Sequence, residues 1–568
     1  MTLFDSPAVS ATTGELFDAG EFFAPAPFDL FDSLMSQYES SRRRLTAMAE
    51  AVSADACAGV LHYFVQANTP ESRYSMPSTV AELFDLDRAV AYLDADFWQR
   101  ALNMTDVLQI MPQKRKDEWF AQIREPLGNG KNRRAGVPAI ERIPEFTADN
   151  VRASLESLID MRGQFFAERV DGIFRALSRK HVTNQPEGFS KRMILRVLCD
   201  RGTEDWSACG VINDFRAVVA KFMGRDEPRH GSSTALIGAV RRRQGEWQDV
   251  DGGAFRMRIY NGVGTAHIEV HPDMAWRLNA VLASIHPQAI PSQFRERPKK
   301  ARKVAAAVFS KPLPFAVLEL LANMKPGVEP TNDDGWKAAK FRNIPRTLRF
   351  DYSATENEAA CKQAAKVLEA IGGVWEKSTG NLAHWRFDYE PAQVIDAILC
   401  SGMIPDHVSH QFYPTPERVA MLAVAQANEG ATDGMRWLEP SAGIGNLADL
   451  MPAGTRCVEV SELHAAILKA KGHVVECRDF LAMSSGEAVA DRVVMNPPYS
   501  GNRWQAHVEH AAQMVAPGGR LVAILPASAP GRFTLPGFAC SWSGVMANEF
   551  AGTGVSVVIL TANRSAAG

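Results

Sequence analysis

From about residue 405 the chain alternates short apolar runs with stretches of helical length, and no other feature constrains the fold as tightly. The runs are MRWLEP (435–440), TRCVEV (455–460), HVVEC (473–477), RVVMN (492–496), RLVAILPA (520–527) and VSVVILTA (555–562). Apolar runs separated by helices predict a parallel, doubly wound sheet, because a parallel neighbour is reached only through a crossover. Ligands in such sheets bind beyond the carboxyl ends of the strands. The residues just after each run are therefore the candidates for chemistry.

Upstream, the texture is mainly helical. Residues 1–27 mix Pro, Ser, Thr, Gly and Asp without a period and read as a flexible tail. Residues 28–303 form a mainly helical α+β region, with one long helical pattern over 151–178 and another over 274–285. Between them, AFRMRIYNGVGTAHIEV (254–270) predicts strand, Asn-Gly turn, strand. PSQFRERPKKARK (291–303) reads as a linker, and 304–400 as a small α+β segment in which KVLEAIGGVWEKSTGNLAHWRF (366–387) gives a helix, a glycine stop and a hairpin. The expected fold class is α/β: a C-terminal Rossmann-like sheet over 405–568, preceded by the helical region.

Composition narrows the function classes. The 568 residues are 46% hydrophobic and 22% charged, enough for several cores, and no apolar run is long enough to suggest a membrane span. The acidic start lacks the basic region of a signal peptide, and eight scattered cysteines without a CxxC pair fit a reducing cytoplasm. Histidines 407, 410, 464, 473, 507 and 510 show no metal-ligand pattern, so no metal is expected; His507 and His510 are expected on a helix surface. The net charge of −3 hides a −9 balance over residues 1–100 and a +10 balance over 101–303. A basic middle third points to a polyanionic partner.

Four motifs follow the strands in order. LEPSAGIGN (438–446) places Gly443 and Gly445 where the backbone bends closely, and Glu439 there would repel a pyrophosphate and suit a cationic or hydroxyl-rich ligand. Taken alone this is also an ordinary strand-to-helix turn. Glu459 ends the second strand, where an acid accepts from ribose hydroxyls, although a solvated strand-end carboxylate is an equal reading. Asp479 ends the third, beside Phe480: a carboxylate for an exocyclic amine and a ring for a purine face. Asn496-Pro497-Pro498-Tyr499 ends the fourth. Its prolines remove two donors and stiffen the turn, so Asn496 Oδ1 and the Pro497 carbonyl can both accept from one NH2 group, while Tyr499 offers a stacking face.

With these motifs in this order, residues 405–565 resemble the class I S-adenosylmethionine-dependent methyltransferases, specifically the N6-adenine DNA methyltransferases of the NPPY type. QFYPTPERVAML (411–422) resembles the family's upstream element, and the resemblance implies that Thr415 and Pro416 contact the amino-acid end of S-adenosyl-L-methionine. It also implies that Glu439, Gly443 and Gly445 border the cofactor, Glu459 takes the ribose, and Asp479 with Phe480 hold the adenine. FAGTG (550–554) resembles the segment that supplies a second aromatic, Phe550, against the target base. Residues 40–300 resemble an uncharacterised domain found before methyltransferase domains in phage- and plasmid-type proteins.

The implied reaction is methyl transfer to a flipped-out adenine N6 in double-stranded DNA, by a modification enzyme without an attached nuclease. Methylation of RNA or of a protein glutamine amide uses the same pocket logic, and a DNA-binding or antirestriction protein with a vestigial methyltransferase fold is a rival of another class. With 69 residues after Tyr499, target reading is expected from residues 28–400 or from the Pro/Gly-rich 526–548. The runs QKRKDEW (113–119), GKNRRAG (130–136), SRKH (178–181), RRRQ (241–244) and RPKKARK (297–303) are the expected phosphate contacts.

Overall fold

A computed structural model describes residues 28–54, 60–61, 63, 84–105, 107–129, 139–177, 188–189, 192–199, 202–297, 312–330, 341–351, 357–377, 383–404, 413–484, 486, 489–550 and 554–566. The chain divides into two compact units. One holds the described residues through Ser233 and from Ala254 to 297; the other holds Thr234–Gly253 and the described residues from 312 onward.

In the first unit, α1 (Phe28–Ser53), α2 (Leu86–Asn103), α3 (Gln113–Arg124), α4 (Ala148–Asp160) and α5 (Arg162–Ala176) precede a small sheet. The pattern over 151–178 is thus two helices, interrupted at Met161. Asp85 and Thr147 cap α2 and α4 by accepting from the backbone N–H three residues on, the geometry that makes these residue types helix starters. Tyr38, Phe97, Trp98 and Phe146 form a buried aromatic cluster, and Trp98 satisfies its indole N–H on the Pro144 carbonyl at 2.8 Å.

Strand β1 (Arg192–Arg196) is followed by α6 (Trp206–Phe222), the hairpin β2 (Phe255–Tyr260) and β3 (Thr265–Val270), and α7 (Pro272–Ile285). The hairpin lies where its sequence placed it, but the turn differs from the expected two-residue Asn-Gly form. Tyr260 pairs with Thr265, leaving a four-residue loop whose left-handed residue is Gly264, at φ +72°, with its N–H bonded to the Tyr260 carbonyl at 2.8 Å. A Cβ on Gly264 would meet Leu198, so close approach of two backbones fixes the glycine at this later position.

The second unit contains α8 (Phe315–Ala322), α9 (Glu358–Ala370) and α10 (Ala392–Ser401) with short strand pairs between them. The glycine stop falls after α9, at Gly372 with φ +92°, and strands Val374–Glu376 and His384–Arg386 then pair antiparallel.

The seven-stranded sheet follows, with α11 (Glu417–Asn428) ahead of β4 (Trp437–Glu439). Next come β5 (Arg456–Glu459), α12 (Glu462–Lys471), β6 (Val474–Cys477), β7 (Ala490–Met495) and α13 (Arg503–Met514). The sheet closes with β8 (Val515–Pro526), β9 (Phe538–Trp542) and β10 (Val557–Arg564). The spatial order is β6-β5-β4-β7-β8-β10-β9, with β10 antiparallel to both neighbours and β4 to β8 parallel. Strand β9 is an addition to the expected set: its five residues, FACSW, are mostly exposed and sit in the Pro/Gly-rich 526–548 stretch, where periodicity carries little signal.

Two apolar layers cover the sheet. Leu438, Phe480, Met495, Trp504 and Val508 belong to one; Val419, Val424, Trp437, Ile559 and Phe550 belong to the other. The strand order reverses between β4 and β7, so the crevice beyond their carboxyl ends is the switch point of the sheet. No described helix is long and apolar enough to cross a membrane.

Candidate functional site at the carboxyl ends of the sheet

The glycine turn after β4 is held by a neighbouring strand end. Glu459, at the end of β5, accepts from the Gly443 N–H at 2.7 Å and from the Ser461 N–H at 2.8 Å. Its carboxylate therefore pins the turn and retains lone pairs for further donors. Gly443 and Gly445 both have positive φ, +54° and +98°, as a bend this tight requires.

Glu439 is buried to 1% exposure. Its Oε2 has no partner among the described residues. Burial first, then Asp449 and Glu459, holds its carboxyl well above the ordinary glutamate range. Asp449, which no sequence motif marks, is anchored by Lys471 Nζ and His473 Nε2, both at 2.7 Å. An unpartnered buried oxygen among three acids is a place for a cation or a donor, not for a phosphate.

Asp479 caps a short turn by accepting from the Leu481 N–H at 3.0 Å. Phe480 is 3% exposed and meets His510 edge-on at 4.9 Å. His507 lies near Phe480 at 5.8 Å and is within 3.5 Å of Ser441 Oγ. The two histidines thus face inward from α13, contrary to the surface position expected of them, because the turn carrying Phe480 packs against that helix; burial pushes the His507 imidazole pKa down.

The segment after β7 is tied to the segment before α11. Asn496 donates through Nδ2 to Thr415 Oγ1 at 3.0 Å, and its Oδ1 accepts from the Tyr499 hydroxyl at 3.0 Å. That hydroxyl also lies 3.2 Å from the Ile524 carbonyl near the end of β8. Thr415 is buried, and Pro416 starts α11. Tyr499 is half-buried, its ring packed against both apolar layers, and burial raises its phenol pKa. Pro497 is buried and Pro498 half-buried. Phe550 is 5% exposed within the layer containing α11.

The proposed residues thus fall into two contact groups: Glu439, Gly443, Gly445 and Glu459 around the turn after β4, and Thr415, Asn496 and Tyr499 after β7. Asp479 with Phe480 borders α13. A separate cavity of about 530 Å³ lined by Arg436, Trp437, Thr455, Arg456 and Ala490 opens at the opposite, amino ends of the strands.

Two of the basic runs engage protein partners. In the first, Arg115 pairs with Glu168 at 3.2 Å, and the largely buried Lys116 pairs with Glu227 at 3.2 Å. In 241–244, Arg242 holds Asp396 at 2.5 Å and Arg243 holds Gln248 at 2.9 Å. Tertiary packing has drawn these cations into internal ion pairs and hydrogen bonds. Residues 130–136, 178–181 and 298–303 lie outside the described residues.

Among known proteins, a family model described as a domain of unknown function, DUF4942, matches residues 90–288. No curated protein matches the sequence. Among solved structures, TrmN from Thermus thermophilus is similar at 22% identity and TM-score 0.22, over 26% of this chain and 48% of that one. The chain therefore spans about half the length of TrmN. A putative RNA methyltransferase from Pyrococcus horikoshii is similar at 20% identity and TM-score 0.24, over 28% of this chain and 89% of that one. The N-methyltransferase NodS from Bradyrhizobium japonicum is similar at 10% identity and TM-score 0.21, over 26% and 95% of the two chains.

Proposed function

We propose that the chain is an S-adenosylmethionine-dependent methyltransferase acting on adenine N6 in double-stranded DNA. The observation that carries this reading is the carboxamide of Asn496, held from both sides by Thr415 and Tyr499 just beyond β7, at the point where the strand order of the sheet reverses. Because Nδ2 is committed to Thr415, it is Oδ1 that is left with acceptor capacity, one of its lone pairs being taken by Tyr499.

The neighbouring acids fit the cofactor. Glu439, with its unpartnered oxygen, suits the amino group of S-adenosylmethionine, Glu459 its ribose hydroxyls, and Asp479 its adenine amine. When bound, the cofactor supplies an electrophilic methyl group on a sulfonium. The chain's own contribution is positioning. An aromatic amine is a weak nucleophile because its lone pair is delocalised into the ring. Asn496 Oδ1 and the Pro497 carbonyl, accepting hydrogen bonds from its two N–H groups, favour a pyramidal nitrogen with the lone pair available. As the N–C bond forms the C–S bond breaks, the thioether leaves with the electron pair of that bond, and one N–H proton is lost to solvent. Tyr499 offers ring surface to the extruded base, and no acid or base with a matched pKa is needed. Phe480 and Phe550 can stack on a ring only once the side chains that cover them give way.

The test is expression in a methylation-deficient host followed by sequencing of its DNA for N6-methyladenine. Modified adenines at a recurrent site support the reading and report the recognition sequence. Unmodified DNA beside a folded, expressed protein overturns it in favour of an RNA or protein substrate.

A further inference from the structure

The loops that leave the carboxyl ends of β7 and β8 lie side by side, because those strands are parallel neighbours. One carries Asn496 to Tyr499 and leads into α13. The other leaves β8 at Pro526 and winds through two successive turns: the Ala529 N–H donates to the Pro526 carbonyl at 2.9 Å and the Arg532 N–H to the Ala529 carbonyl at 3.1 Å. Two contacts tie the loops together. The Tyr499 hydroxyl reaches the Ile524 carbonyl at 3.2 Å, and Trp504 meets Phe533 edge-on at 5.2 Å. Both of those rings are buried, at 6% and 8% exposure. The aromatic pair fixes the chain around it. The residue before Trp504 is Arg503, the residue before Phe533 is Arg532, and both are exposed.

The charge around them is one-sided. Residues 492–548 contain four arginines, no lysine and a single carboxylate, Glu509. Arg492 and Arg520 are engaged inside the fold, on the carbonyls of Ala427 and Gln426. Arg503 and Arg532 have no hydrogen-bonding or ionic side-chain partner among the described residues. Glu509 follows Arg503 by six residues on α13, about 240° around the helix, so it emerges from a different face. The next acid, Glu549, is paired with Arg418 at 3.1 Å. Gly501, Asn502, Pro530, Gly531 and Thr534 are exposed beside the two arginines, so the rim they occupy is open.

We propose that Arg503 and Arg532 clamp the phosphodiester groups that flank the extruded adenine of duplex DNA. The charge complementarity selects an anion, and duplex DNA as its source rests on the function proposed above. A base seated against Tyr499 with its amine at Asn496 keeps its sugar and flanking phosphates outside the pocket, next to the two loops that form the seat. Extrusion turns that stretch of backbone and costs unstacking energy. Two guanidiniums that meet the phosphates in the extruded geometry offset part of the cost and hold the amine in place. Their planar donor forks suit phosphate oxygens, and phosphate contacts position a strand without reading its sequence.

The test uses the full chain and a duplex of the sequence it methylates, with 2-aminopurine in place of the target adenine to report extrusion by its fluorescence. In Arg503→Gln/Arg532→Gln, duplex affinity should fall by about tenfold or more, and the slope of log K against log salt by about 2, one for each guanidinium withdrawn from a phosphate. The 2-aminopurine signal should fall with it, as should single-turnover methylation of the adenine duplex. Each single variant should show about half the change in slope. Thermal melting, S-adenosylmethionine binding and the sequence methylated should not change. Arg503→Lys/Arg532→Lys should keep most of the salt slope and lose part of the extrusion signal, because the charge stays and the fork goes. Parental affinity, slope and extrusion in the double glutamine variant, with the parent chain methylating DNA, would overturn the clamp and leave the proposed function standing. Slower methylation with an unchanged salt slope would also overturn it, since the arginines would then act elsewhere than on phosphate. A parent chain that binds and methylates no DNA would overturn both readings.

Discussion

Asn496 and Thr415, 81 residues apart in sequence, share a hydrogen bond of 3.0 Å between Nδ2 and Oγ1. A primary amide can turn either end toward a substrate, and here Nδ2 is turned to the threonine. With Nδ2 on the threonine and the Tyr499 hydroxyl on Oδ1, the carboxamide is fixed in the sense that an amine nucleophile requires.

Replacing Thr415 by valine removes the acceptor and keeps the shape. Methyl transfer should fall by about 10- to 100-fold, equivalent to about 1.4–2.7 kcal/mol in the barrier. Thr415→Ser should recover most of it. Single-turnover rates alongside cofactor affinity separate this role from the cofactor contact implied by the family resemblance: a loss confined to affinity would favour the latter.

Asn496→Ala should abolish methyl transfer and leave S-adenosylmethionine binding largely intact, as read by calorimetry. Tyr499→Phe should be milder. It deletes a hydroxyl serving both Asn496 and the Ile524 carbonyl, worth about 1 kcal/mol of stability, and retains the ring. Equal loss of binding and transfer in Asn496→Ala would point to a folding defect.

Glu439 gives the ligand-free protein a pH dependence of definite sign. Its folded pKa is raised above the ordinary 4.5, so between those two values the folded chain binds more protons than the unfolded one. Its contribution to stability is complete below the ordinary value and is lost as pH rises through the raised one. Melting temperatures from about pH 5 to about pH 8 should therefore decline less in Glu439→Gln than in the parent. A cationic ligand favours the ionised carboxyl, so cofactor binding should release a proton, measurable as a buffer-dependent binding enthalpy.

Gly445→Ala should lower stability by about 1–3 kcal/mol. The residue sits at φ +98°, and an added Cβ would lie 3.1 Å from Leu468 Cδ2 and 3.2 Å from Asp449 Oδ1. The readout is a denaturant midpoint, with cofactor affinity falling alongside because the turn after β4 is distorted.

The strands of the large sheet are legible in the sequence because each is a local event. A buried parallel strand needs a short β-prone apolar run, and the residue that follows it emerges at the carboxyl edge whatever else the chain does. Gly443, Glu459, Asp479 and Asn496 are found in this way, and so is the hairpin at 255–270. The edge strand Phe538–Trp542 is not, because an exposed five-residue strand lacks that apolar signature. The fate of charges is not legible either. Lys116 and Arg115 sit in a conspicuous basic run yet are held by Glu227 and Glu168 from elsewhere in the chain, whereas Arg192, Arg196, Arg256 and Arg258, dispersed by strand alternation, gather on one face. Local sequence dictates which elements form and which residues end them. Which side chain faces which is settled by pairing between segments far apart in the chain, and only that pairing buries Glu439 beside two other acids and turns the Asn496 carboxamide one way.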